Sequence, residues 1–340
     1  MAFLQRYPKQ RRRCCVLGLS IVTLALIVSS FSTHVWHLIL TQGILYAIGG
    51  SMFHTPTIVF LDEWFITRKG FAFGVMWAGT GVSGICIPLL MNWGLNKYSY
   101  PTMLRVWALS LLLLSGPLLC FVKPRIPVSV AAHPRRLDFN FLRTRTFWTL
   151  QTGNILESLG FFIPNIYLPT YARSLGLSPV AGTLLVSLFN ATSVFGQVTL
   201  GTLSDHVHVT SVILISTIGT TLSVFLLWGL SASLPLLSIF SIAYGLFAGG
   251  FSSTWTGCMR EVKKVDRRAE MGLVFGLLSA GRGIGSVVAG PMSEALLNEK
   301  PWIGEAAAGY GSGYGGLIVF TGMSAMLGGV SWVSRRINWI

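Results

Sequence analysis

The 340-residue chain is 52% hydrophobic and only 11% charged, less than half the charged share of an average soluble domain, which is about 25%. A mean hydropathy of +0.65 over the whole length excludes a soluble protein with a single anchor. The formal net charge of +14 is carried by short basic clusters between apolar runs, so it reads as membrane topology and not as a nucleic-acid surface, which also needs aromatics on polar faces.

A membrane helix needs about 20 mostly apolar residues. In chain order such stretches fall near 14–32, 36–60, 70–93, 103–122, 146–168, 179–200, 209–229, 233–257, 270–296 and 313–333. The stretch 179–200 is the most polar, being rich in Ser, Thr, Asn and Gln. Helices are the expected form, because in lipid each backbone N–H and C=O must be paired within the segment. The first stretch follows Arg6, Lys9, Arg11, Arg12 and Arg13. It is too long for the apolar core of a signal peptide and is read as a retained span.

Ten spans place most Lys and Arg on one side. The N-terminal five share it with Arg68 and Lys69, the segment Lys123 to Arg145, the group Arg260, Lys263, Lys264, Arg267 and Arg268, and Arg335 with Arg336. The other side holds Lys97, Arg173 and Lys300, while Arg105 and Arg282 fall within or at the edge of spans. By the positive-inside rule both termini are cytosolic. The basic segment 123–145 contains Pro124, Pro127 and Pro134 and separates four spans from six. It is expected to link an N-terminal bundle, 1–122, to a C-terminal bundle, 146–340.

The halves echo each other. Residues 73–84, FGVMWAGTGVSG, and 275–286, FGLLSAGRGIGS, coincide at Phe, Gly, Ala, Gly and Gly. Parallel repeats of this kind mark transporters built from two related bundles. Gly79, Gly81 and Gly84, like Gly281, Gly283 and Gly285, leave helix faces bare for close packing.

Several stretches resemble a known family. WFITRKGFAFGVMWAGTGVSGICIP is similar to the fourth-to-fifth helix region of the monocarboxylate-porter branch of the major facilitator superfamily. NILESLGFFIPNIYLPTYARSLG resembles the seventh helix of its fungal members, and GTLSDH and GLLSAGRGIGSVVAGPMSE the loop after the eighth helix and the eleventh helix. The resemblance implies an all-α, two-bundle membrane fold with a solute path between the bundles. It also implies that the family's first two helices are not in this chain, which has four spans before the linker. Where the family often carries an intramembrane Arg in the eighth helix, this chain has Gln197, with Ser193 one turn earlier. That weakens a simple monocarboxylate assignment.

Charges deep in a membrane are expensive, about 2.5–3.5 kcal/mol each on insertion scales, and two stand out. Glu157 lies in 146–168 and Arg282 in 270–296. Arg282 is the candidate to hold an anionic group and Glu157 the candidate proton acceptor. The alternative is a buried pair that only locks two helices. Asn154, Asn190, Gln151 and Gln197 are polar positions within spans, suited to solute binding or to bonds between helices. Asp205 and Arg68 are candidate gating residues, and Asp62 and Glu63 candidate partners of Arg68 and Lys69 at the inner edge. His54 is a lone membrane histidine, more suited to packing than to proton relay. His206 and His208, after Asp205, are too sparse a set for a metal site.

No phosphate loop, HExxH or Ser–His–Asp set is present, so neither an enzyme nor a cofactor is expected. The function expected is alternating-access transport of a small organic solute, a monocarboxylate-like anion with protons as the candidate coupling ion. The other reading is a transport-inactive relative that acts as sensor or scaffold. The expected home is the plasma membrane, with lipid and solute as the partners and no nucleic acid.

Overall fold

The computed structural model describes residues 2–125, 137–299, 302–337 and 339. The linker residues 126–136, with Pro127, Pro134, Arg135 and Arg136, lie outside the described residues, as does Lys300. Helices make up the elements in between, with no strand among the described residues.

The principal helices are α1 (Arg11–Ser29), α2 (Tyr46–Trp64), α3 (Lys69–Lys97), α4 (Tyr100–Leu118), α5 (Arg145–Phe161), α6 (Ile163–Ser174), α7 (Pro179–His206), α8 (Val209–Leu222), α9 (Leu234–Phe247), α10 (Trp255–Val265), α11 (Met271–Glu299), α12 (Gly315–Gly328) and α13 (Val330–Arg336). A π-helical segment, Ile39–Leu45, leads into α2, and another, Ser223–Trp228, extends α8. Local chemistry sets several starts. Thr144 caps α5 by accepting from Phe147 N, and Ser178 caps α7 by accepting from Ala181 N just ahead of Pro179.

Among the described residues, nine helices are long and apolar enough to cross a membrane. They match nine of the ten apolar stretches. The remaining stretch, 146–168, is a helix broken at Phe162 into α5 and α6, each too short to be counted alone. Pro164 causes the break, since it has no N–H and its ring clashes with the carbonyl four residues earlier. The carbonyls freed there are met by the Tyr244 hydroxyl, which lies 3.0 Å from Phe161 O and 3.5 Å from Gly160 O. The polar stretch near 179–200 is a single unbroken helix that runs on to His206.

The chain divides into two compact units, Met1–Ile66 with Cys86–Leu137, and Thr67–Ile85 with Asp138–Ile340. In the first, α1 packs on α2 and α4. Gly18 and Gly49 bring α1 and α2 into backbone contact: a Cβ at Gly18 would lie 2.7 Å from Gly49 O. One end of this unit is tied by Arg11, which pairs with Glu63 at 2.5 Å and donates from Nε to Leu4 O. Glu63 was expected beside Arg68 and Lys69; α1 and α2 bring it to Arg11. At the other end Arg105 donates to Ser30 Oγ and lies over the Phe31 ring.

The second unit has its core in the aromatic series Tyr171, Trp228, Phe240 and Tyr244, all fully buried, with adjacent ring centroids 5.3–6.1 Å apart. Helix α5 is central to it, packed on α11 and α12. Bare glycine faces permit this. A Cβ at Gly285 would lie 2.9 Å from Ile155 O, and one at Gly153 2.9 Å from Gly328 O.

Candidate functional site

Helix α5, which ends at the break at Phe162, carries the polar side chains. Gln151, Asn154 and Ser158 lie on one face, at the spacing of helical neighbours, and all are buried with Glu157. Gln151 Nε2 donates to Leu277 O and Asn154 Nδ2 to Leu278 O, each at 2.8 Å. Asn154 Oδ1 accepts from Trp255 Nε1 at 3.1 Å. Both of Asn154's polar groups are therefore engaged, and this side chain ties α5 to α10 and α11.

One turn further along, Arg282 Nη1 of α11 donates to Glu157 Oε2 at 3.2 Å. The two side chains are 12% and 6% exposed, so the pair sits almost entirely out of solvent. Phe161 covers the guanidinium at 4.1 Å, with Phe162 and Trp255 at 6.0 Å, within cation–π range. Behind Trp255 stand Phe275 at 5.3 Å and Trp77 at 5.8 Å. Sequence reasoning named Glu157 and Arg282 and missed these rings. Phe161 and Phe275 do lie in the singled-out stretches, but Trp255 arrives from a separate helix and nothing in its neighbourhood announces it.

The remaining candidates lie elsewhere. Gln197 is buried; its Nε2 is 3.3 Å from Gly249 O and 3.5 Å from Thr80 Oγ1, while its Oε1 has no hydrogen-bond partner among the described residues. Thr80 is the repeat counterpart of Arg282. Asn190 donates to Val186 O of its own helix and sits against Gly84. His54 is exposed on α2.

Asp205 accepts from Gly70 N at 2.8 Å and Phe71 N at 2.9 Å, at the N-terminus of α3. It also pairs with Arg260 Nη1 at 3.6 Å, and Arg260 donates to Ser204 O. Arg260 is thus the cation beside Asp205, and Arg68 is exposed. A carboxylate at that position satisfies two orphan N–H groups and meets the positive end of the helix dipole. Asp205→Ala is expected to destabilise by about 1–2 kcal/mol and Asp205→Asn by less. Thermal midpoints in detergent check the order; equal stability of all three proteins would contradict it.

His208 caps α8, its Nδ1 accepting from Thr210 N at 3.3 Å, with Nε2 3.4 Å from Glu261. Burial pushes its pKa down, and Glu261 opposes that only in part. No group of three or more His, Cys, Asp or Glu among the described residues could hold a metal ion.

A buried ion pair beside a broken helix, inside a polytopic helical array, is compatible with a membrane transporter. Comparison with known proteins agrees. The sequence profile of the Major Facilitator Superfamily matches residues 150–336, more than half of the chain. The chain belongs to that superfamily of multi-pass membrane transporters. It is 28% identical over 292 residues to the MFS-type transporter pynF of Aspergillus niger, covering 85% of this chain and 67% of the relative. It is 28% identical over 322 residues to an agnestins efflux protein of Paecilomyces divaricatus, covering 94% and 70%. The chain thus spans about two thirds of the length of such relatives. Among solved structures, a bacterial homologue of the iron transporter ferroportin in an outward-facing state superposes with a TM-score of 0.66 at 13% identity, over 99% of this chain and 85% of that one. At that identity the likeness is one of fold alone.

Proposed function

We propose that the chain carries a small organic anion across the membrane by alternating access, with Arg282 as the anion's counter-charge and Glu157 as the proton carrier. The observation that carries this reading is the Glu157–Arg282 pair, 3.2 Å apart and nearly unexposed. Paired, the two charges cancel. A proton on Glu157 leaves Arg282 with an uncompensated charge in surroundings where each charge costs about 2.5–3.5 kcal/mol, and a solute carboxylate is the natural replacement. Proton and anion then cross together with no net charge, and losing both restores the pair.

The name of the Paecilomyces relative, an agnestins efflux protein, supports movement of a solute across the cell boundary and so the plasma membrane as the site. The basic segments support cytosolic termini and an arrangement of two bundles, 1–122 and 146–340, about the linker 123–145. Asn190 and Gln197 are kept as candidate solute contacts, Asn154 as the side chain that holds α5 to α10 and α11 beside the charge pair, and Asp205 with Arg68 as gating residues.

The test is uptake by purified protein in liposomes, with radiolabelled lactate, acetate and benzoate as probes. An acid exterior is expected to accelerate uptake of at least one of them well beyond its uptake into protein-free liposomes, and a protonophore to remove the acceleration. Uptake of none, with or without the gradient, would favour a transport-inactive sensor instead.

A further inference from the structure

Arg282 is solvated in an unusual way for a guanidinium that meets a carboxylate solute. Its five N–H donors have one hydrogen-bond partner among the described residues, Glu157. Its other close neighbours are ring faces: Phe161 at 4.1 Å, and Phe162 and Trp255 at 6.0 Å. The aromatic surface continues through Trp255 to Trp77 at 5.8 Å, and Trp77 stacks at 17° on Phe275. Phe161 and Trp77 are half-buried and Phe162 is exposed, whereas Trp255 and Phe275 are buried behind them.

Most polar groups next to the pair are committed, while Gln151 Oε1 has no hydrogen-bond partner among the described residues. Asn154 is engaged at both ends, and Gln151 Nε2 is held by Leu277 O. A hydroxyl on the solute body would have Gln151 Oε1 as its partner on α5 and would be desolvated elsewhere around the pair, which is costly. A flat ring meets the reverse situation. Aromatic pairs in offset or edge-to-face geometry gain beyond simple burial, and the positive edge of a ring fits the negative faces presented here.

We infer that the solute is an aromatic carboxylate, its carboxylate taken by Arg282 and its ring received by Phe161, Phe162 and Trp77. This rests on the anion reading above and narrows it. It makes Trp77 a specificity-determining residue, a position that the buried charges alone would never single out.

The experiment is competition binding to the purified full chain in detergent, with tritiated benzoate as the probe and naphthoate, cyclohexanecarboxylate and lactate as competitors. Cyclohexanecarboxylate matches benzoate in size and charge and lacks only the π face. Naphthoate and benzoate are expected to compete about tenfold better than cyclohexanecarboxylate, and lactate worst. Trp77→Leu should shrink the tenfold ratio to about threefold or less, and Trp77→Phe should recover most of it. Arg282→Gln should abolish binding of every acid.

Equal competition by benzoate and cyclohexanecarboxylate in the unaltered protein, with all binding lost in Arg282→Gln, would overturn the aromatic inference and leave the anion reading standing. Benzoate binding that survives Arg282→Gln unchanged would overturn the anion reading, and the aromatic inference with it. The four-acid comparison in the unaltered protein decides the matter even if Trp77→Leu fails to fold.

Discussion

Glu157→Gln is expected to destabilise the protein by about 3–5 kcal/mol, and the double variant Glu157→Gln with Arg282→Gln by far less. The single change leaves the Arg282 guanidinium, 12% exposed, with its carboxylate partner gone. Arginine cannot shed its proton to escape the penalty. Arg282→Gln alone should cost less than Glu157→Gln, because the carboxylate left behind can take up a proton and become neutral. The double variant removes both charges and offers two amides that can bond each other. Unfolding midpoints in one detergent, scanned at one rate, order the four proteins; this keeps irreversible unfolding from distorting the ranking. Strict additivity of the two single effects would mean that the groups do not act as a pair. Transport separates the roles further. Glu157→Gln should lose acceleration by an acid exterior but keep exchange of solute for solute, since Arg282 remains. The double variant should lose both, although it is the more stable protein. Stability and activity then move in opposite directions, which a pair that merely locks α5 to α11 would not produce.

Much of the fold is legible in the sequence because lipid imposes a simple rule. Apolar runs of about 20 residues become helices, and nine of the ten stretches do so singly. The exception was written in the chain as Pro164, but a hydropathy average over 146–168 smooths across a break whose cause is a single missing N–H. The charged pair is legible for the same reason as the spans: Glu157 and Arg282 are conspicuous against an apolar background, and a buried pair is one of the two readings their positions allow. Their surroundings were not legible. Trp255 lies 27 residues from Arg282 in the chain, and its contact depends on how α10 settles against α5. Glu63 illustrates the same limit. Its neighbours in sequence, Arg68 and Lys69, suggested a local ion pair, whereas the packing of α1 on α2 brings Arg11 to it instead. The repeat misleads in a subtler way. Gly79 matches Gly281 and Gly81 matches Gly283, yet Gly79 and Gly283 face open space while Gly81 and Gly281 are packed. Sequence register carries over between the halves; the face turned to the neighbouring helix does not, because two residues advance a helix by more than half a turn.

That difference supplies the second large effect. Gly285→Leu is expected to abolish accumulation of folded protein, whereas Gly283→Leu, two residues away, should be tolerated. A Cβ at Gly285 would stand 2.9 Å from Ile155 O and 3.0 Å from Ser158 Cβ, and at Gly283 it would meet nothing within 4 Å. The obstruction at Gly285 includes the backbone of α5, which cannot rotate aside as a side chain can. Overpacking of this kind typically costs about 1–3 kcal/mol, and a leucine carries three carbons more than the Cβ that already collides. Gly285→Ala, with the Cβ alone, should give an intermediate loss. The consequence reaches the site, because Ile155 and Ser158 flank Glu157 on α5. Prising α11 away at Gly285 lengthens the Glu157–Arg282 contact one turn off, so the fraction of Gly285→Ala that does fold should also transport more slowly than Gly283→Ala. Yields of monodisperse protein and uptake per folded molecule measure the two consequences separately. Equal yields from Gly283→Leu and Gly285→Leu would show that α5 and α11 do not pack through this face, and the expected link between Gly285 and the charge pair would fall with it.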